Sequence, residues 1–158
     1  MRAWIGLLLS LVIFLNSPGV SSQSPFEQET AVKLELREAI YRYMFAKYSY
    51  GEKVRVFCIA AERPLPESFL QRFANSKTTV LWASDCENSG PMNGIQQKKT
   101  GFRGMKMSIL TLQMNLDEES IAKVSAFSDG ISANWNTLRL RMENGYWTVV
   151  GDTLTGVS

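Results

Sequence analysis

The 158-residue chain contains no histidine and only two cysteines, Cys58 and Cys86. Each scarcity closes off chemistry. Without histidine there is no serine triad of the usual kind and no imidazole general base, which removes much of hydrolase chemistry. A cysteine nucleophile loses its common base for the same reason. A structural zinc site needs about four ligands, and two distant cysteines cannot supply them. A thioredoxin-like pair places two residues between its thiols, whereas these lie about 28 positions apart. No metal and no cofactor are therefore expected. Charge of one sign is also scarce: 17 Lys and Arg stand against 15 Asp and Glu, so no global attraction to nucleic acid or to a membrane surface is expected.

The opening "MRAWIGLLLSLVIFLNSPGVSSQ" joins Arg2 to an apolar run from Trp4 to Leu15, followed by Pro18 and small residues. A dozen apolar residues span roughly 18 Å as a helix, short of a hydrocarbon core of about 30 Å. The pattern predicts a secretory signal peptide over residues 1–22, cleaved after Ser22, with Val20 and Ser22 read by the peptidase. The mature chain is then expected in the periplasm or outside the cell. No later stretch is apolar enough to span a bilayer. Residues 23–158 suit a single domain that buries about two thirds of its unfolded surface.

Ser24, Pro25 and Glu27 form a helix start, with a cap, a first-turn proline and an answering carboxylate. Val32, Leu36, Ala39, Ile40, Tyr43 and Met44 recur at helical spacing, with Tyr41, Phe45 and Tyr48 as a second stripe, until Gly51. "KVRVFCIAA" reads as a buried strand, "PESFLQRFAN" as a short helix with Phe69, Leu70 and Phe73 inward, and "TTVLWAS" as another strand. Residues 88–104 lack periodicity and read as a long loop. "MKMSILTLQMNL" and "IAKVSAFS" follow as strands, and "NTLRLRMENGYWTVVGDTL" as two strands around Asn144-Gly145, the dipeptide suited to a type I′ hairpin. Leu138, Leu140 and Met142 alternate with Arg139 and Arg141, giving one buried and one wet face. The expected class is α+β: a curved antiparallel sheet of five to six strands, with a long N-terminal helix and a short second helix on one face.

The layout carried by "YRYMFAKY", "FCIAAE", "PESFLQRFA", "SDCE", "KTGFRGMKMSIL" and "GYWTVVGDTLTGVS" resembles a group of small exported bacterial proteins of unknown function. The resemblance covers nearly all of the mature chain, and no motif within it is a chemical signature. In general shape it is also similar to cystatin-like and NTF2-like rolls, an analogy of fold that implies no activity.

For Cys58 and Cys86, elimination leaves a disulfide or two buried thiols. The leader favours the disulfide, because exported chains mature where thiols oxidise. Ser120 and Lys123 match S-x-x-K, but an odd spacing on a strand sets them on opposite faces. Asp117, Glu118 and Glu119 lack the ligand spacing of a calcium loop and read as a solvated turn. Asp85 and Glu87 flank Cys86 as lone carboxylates. Trp82, Trp135 and Trp147 read as core or sheet-face packing, with a hydrophobic pocket between helix and sheet as the alternative. Lys98, Lys99, Arg103 and Lys106 crowd the end of the long loop and are the candidate contacts for an anion or a partner. The leading expectation is a non-enzymatic exported domain that binds a protein or small ligand. The alternatives are an enzyme using carboxylate and tyrosine chemistry in a roll-type pocket, with Asp129, Asp152 or tyrosines as acid and base, and an accessory of an envelope or secretion system acting through a sheet edge or the basic loop.

Overall fold

A computed structural model describes residues 25–49, 54–90, 93–129 and 132–158, with side chains described from residue 30 and not at 129. The expected signal peptide over 1–22 and the capping Ser24 lie outside these residues.

Helix α1 (Pro25–Tyr48) starts on the proline that the sequence placed in its first turn. Leu36, Ile40, Tyr41, Met44 and Phe45 are its buried stripe. Among the described residues eight strands follow in chain order: β1 (Val56–Ala60), β2 (Thr79–Trp82), β3 (Cys86–Asn88), β4 (Ile95–Gln97), β5 (Gly104–Gln113), β6 (Ser120–Asp129), β7 (Ser132–Glu143) and β8 (Tyr146–Val157). A 3-10 helix, Glu67–Phe73, lies between β1 and β2 and turns Phe69 and Phe73 into the core beside α1. Leu70 packs only at the margin of that core. The turn between β7 and β8 has Asn144 at φ 53° and Gly145 at φ 84°, the pair of positive values that a type I′ hairpin demands.

Six strands form one sheet in the order β2-β1-β5-β6-β7-β8, while β3 and β4 form a separate two-stranded ribbon. The α+β class and the six strands agree with expectation, but the sheet is mixed and not antiparallel throughout. β1 runs parallel to both β2 and β5, and only β5 to β8 form an antiparallel meander. Parallel neighbours need a connection that carries the chain back to the starting end. The segment with the 3-10 helix does this between β1 and β2. The β3–β4 ribbon does it on the way to β5. β4 and the connection to it fall in the stretch 88–104 expected to be a long loop, and β3 ends where that stretch begins; strands of three residues are too short to show a period of two.

Alternation along each strand divides the sheet into two faces. On one face Phe57, Ile59, Met107, Ile109, Val124, Leu138, Leu140 and Trp147 meet α1 and the 3-10 helix in the main core. Phe45 stacks on Phe57 with ring centroids 4.5 Å apart, and Tyr41 meets Phe69 and Phe73 edge-on. These rings pack the middle of the interface between helix and sheet. On the opposite face a smaller cluster of Val56, Cys58 and Ile95, with Leu81, Cys86 and Phe127 against it, seats the β3–β4 ribbon. No described helix is long and apolar enough to cross a membrane.

Candidate functional site

The second face of the sheet is only half covered, and its geometry follows from one covalent bond. Cys58 and Cys86 form a disulfide with α-carbons 6.3 Å apart. Cys58 points away from α1 in the middle of β1, and Cys86 opens β3, so the bond pins the ribbon over β1 and the near side of β5. β6 and β7 continue beyond the ribbon. The step between covered and open sheet forms a groove of about 420 Å³.

Strand register decides what lines it. One row across the sheet runs Ser108, Ser125, Trp135, Gly156, and the next runs Cys58, Lys106, Phe127, Ala133. Glu87, Asn88 and Ile95 of the ribbon form one wall, and Trp135 stands at the far side. From β5 to β7 is two strand spacings, so the floor between wall and indole is roughly 10 Å wide. The short side chains of Ser108 and Ser125 keep that floor low. Trp135 is 36% exposed. A Cβ on Gly156 would lie 3.3 Å from Trp135 Cε3, so the bare glycine lets the indole lean over the edge strand.

The polar groups of the groove are unspent. Among the described residues, the side chains of Lys106, Glu87, Ser108 and Ser125 make no hydrogen bond or ion pair. Asn88 uses only its carbonyl, which accepts from the Gly90 amide at 3.1 Å. Elsewhere on the same face Glu119 accepts from Arg139 at 3.0 Å and from Arg141 at 2.8 Å.

The four basic residues singled out in the sequence separate here. Lys98 and Lys99 are exposed in the turn after β4, which closes through Gly101 N–H donating to the Gln97 carbonyl at 2.8 Å. Arg103 leaves that turn opposite Gln96. Lys106 alone lines the groove. Trp135, read from sequence as packing, lines it together with Phe127, and Ser108 and Ser125 were missed. Their alternation with Met107, Ile109, Val124 and Ala126 placed them on the outer face, but only register sets them side by side with the tryptophan.

Asp152, one of the carboxylates considered for acid–base work, lies on the α1 side of β8. Tyr43 and Lys47 each donate to its Oδ2 at 2.6 Å, and Asn136 donates to Oδ1. Tyr48 O–H in turn donates to Asn136 Oδ1 at 3.3 Å. Burial pushes the Asp152 carboxyl upward, but the hydrogen bonds from Lys47, Tyr43 and Asn136 outweigh it and hold the group below the usual carboxylate range. Burial, then the hydrogen bond to Asp152, pushes the Tyr43 phenol up to about 12. An ionised acceptor held by three donors is a weak proton carrier near neutrality and a strong tie between helix and sheet. Asp129 ends β6, and its side chain lies outside the described residues.

The remaining sites are structural. The Ser120 hydroxyl, buried on the α1 side, donates to the Asn115 carbonyl and accepts from its amide, each at 3.0 Å, while Lys123 is exposed. The two stand on opposite faces of β6 and form no dyad. Asp117 begins a turn in which its amide donates to Asn115 Oδ1 at 3.1 Å. Asp85 is exposed and its backbone carbonyl accepts from Lys98 N–H at 2.9 Å.

The chain matches no family model, no curated protein and no solved structure.

Proposed function

We propose that this is an exported, non-enzymatic binding protein whose ligand seats in the groove between the β3–β4 ribbon and the open half of the sheet. One observation carries the reading: an exposed indole and four polar side chains with no internal partner converge on a single concavity of about 420 Å³. That volume lies within the range of about 300–1,000 Å³ common to ligand pockets. Groups that neither pack nor pair within the fold contribute nothing to its stability there, so their shared placement is explained by what they meet outside it. Export is supported by the predicted leader together with the disulfide.

The alternative of a carboxylate and tyrosine enzyme is disfavoured by Asp152, which already accepts from three donors and whose tyrosine neighbour has its phenol pushed up to about 12.

Amide and indole NMR spectra of the oxidised protein during a screen of small amphipathic fragments test the proposal. Shifts are expected to cluster at Ser108, Ser125, Phe127 and the Trp135 indole. Hits that instead collect around Tyr43 and Asp152, or turnover of a fragment, would replace this reading with the enzymatic one.

A further inference from the structure

The lining of the groove restricts the chemistry of its occupant, given the binding role proposed above. An all-hydrocarbon ligand would cover the hydroxyls of Ser108 and Ser125 without offering them partners, and each polar group so stranded opposes binding. A polyanion such as a nucleic acid would meet a single ammonium, Lys106, with Glu87 also in the lining. An extended peptide gains its main-chain bonds at a sheet edge, whereas this groove crosses the faces of β5, β6 and β7, whose backbone groups are already paired within the sheet.

What remains is a compact molecule with an apolar surface for the indole and several neutral hydroxyls around its rim. We infer that the ligand is a saccharide bound through one or two pyranose rings. The C–H face of a pyranose packs on an aromatic ring, and its hydroxyls both donate and accept. The groove matches that dual character. Glu87 only accepts, Lys106 only donates, and Ser108, Ser125 and Asn88 do either. Trp135 supplies the aromatic surface, held at the margin by its lean over Gly156. The ribbon wall carrying Glu87 and Asn88 is placed by the disulfide, since Cys86 immediately precedes Glu87 and is bonded to the β1 residue beside Lys106. An intact bond is therefore part of the site as well as of the fold.

Titration of the oxidised protein with glucose, N-acetylglucosamine, cellobiose and chitobiose, followed by the Trp135 indole NMR signal and by calorimetry, tests the inference. At least one sugar is expected to saturate that signal. Trp135→Ala is expected to weaken binding at least tenfold with an unchanged melting temperature, Trp135→Phe by less, and Ser108→Ala and Lys106→Gln several-fold each. Because single serine and lysine changes on an exposed face leave the fold intact, they decide the matter even where the tryptophan variant folds poorly. Sugar binding indifferent to all of these variants would overturn the saccharide assignment. So would a groove that takes apolar fragments or peptides through Trp135 but none of the sugars, an outcome that keeps the binding role and discards only its ligand class. If no ligand of any class moves the Trp135 signal, both readings fall together.

Discussion

Tyr43 on α1 donates a 2.6 Å hydrogen bond to Asp152 on β8, joining positions 109 apart in sequence, and the same carboxylate oxygen accepts from Lys47 one helical turn later. This tie has a defined pH dependence. The folded-state value of Asp152 lies below its ordinary 3.8, so its stabilisation is present in full above that value and disappears as pH falls through the lower folded value. Glu38, held below its usual range because the Arg72 and Arg42 hydrogen bonds outweigh burial, behaves with the same sign. Asp152→Asn is expected to destabilise by about 1–3 kcal/mol at neutral pH, and the difference from the parent is expected to shrink as pH falls below the ordinary 3.8. Guanidinium midpoints measured across that range check this; a difference independent of pH would show that the carboxylate charge is not what matters.

The disulfide closes a loop with a sequence separation of 28. In the chain-entropy account such a cross-link stabilises by roughly 3–4 kcal/mol. Comparing urea unfolding of the oxidised protein with that of a Cys58→Ala/Cys86→Ala double variant is expected to recover a loss of this size. Amide exchange should rise most strongly in β3 and β4, which without the bond rest on the sheet mainly through the small cluster around Ile95.

Gly104 enters β5 so close to β1 that an added Cβ would lie 2.7 Å from Val56 Cγ2 and 3.3 Å from Cys58 Sγ. The sulfur is tethered by its bond to Cys86 and cannot swing aside. Gly104→Ala is expected to cost about 1–3 kcal/mol through overpacking. Restoration of part of that loss by Val56→Ala in the same chain, read from thermal melts, would identify the clash as the cause.

Phe45 is the ring on which the two layers meet, parallel to Phe57 at 4.5 Å and edge-on to Phe73 at 5.3 Å. Phe45→Ala is expected to cost about 3–5 kcal/mol, and Phe45→Leu appreciably less, because leucine refills part of the volume. Circular dichroism melts of the two variants would rank them, and an equal loss would argue against a cavity as the source.

Much of the fold was legible because its signals are local. The stripe from Leu36 to Phe45, the proline at the start of α1, the Asn144-Gly145 turn and the alternation about Leu138 and Arg139 each depend on residues within one or two turns of chain. The expected leader favoured a disulfide over two buried thiols, and two cysteines allow only one internal bond, the Cys58–Cys86 bond observed. Short-range pattern could not show that β1 runs parallel to β5, nor that residues 86–97 contain a ribbon, because both depend on where distant strands are placed.

The groove belongs wholly to that second category. Ser108, Ser125, Trp135 and Gly156 lie on four different strands and become neighbours only through three registers. A bulge between Trp135 and Asn136 shifts the pairing with β8 by one residue, which is how Gly156 comes to lie under the indole while Asp152 turns toward Tyr43 on the other face. From the chain alone came the class of each residue and the face it takes. The contacts among those faces were decided by non-local pairing, whose energy comes from residues tens of positions away.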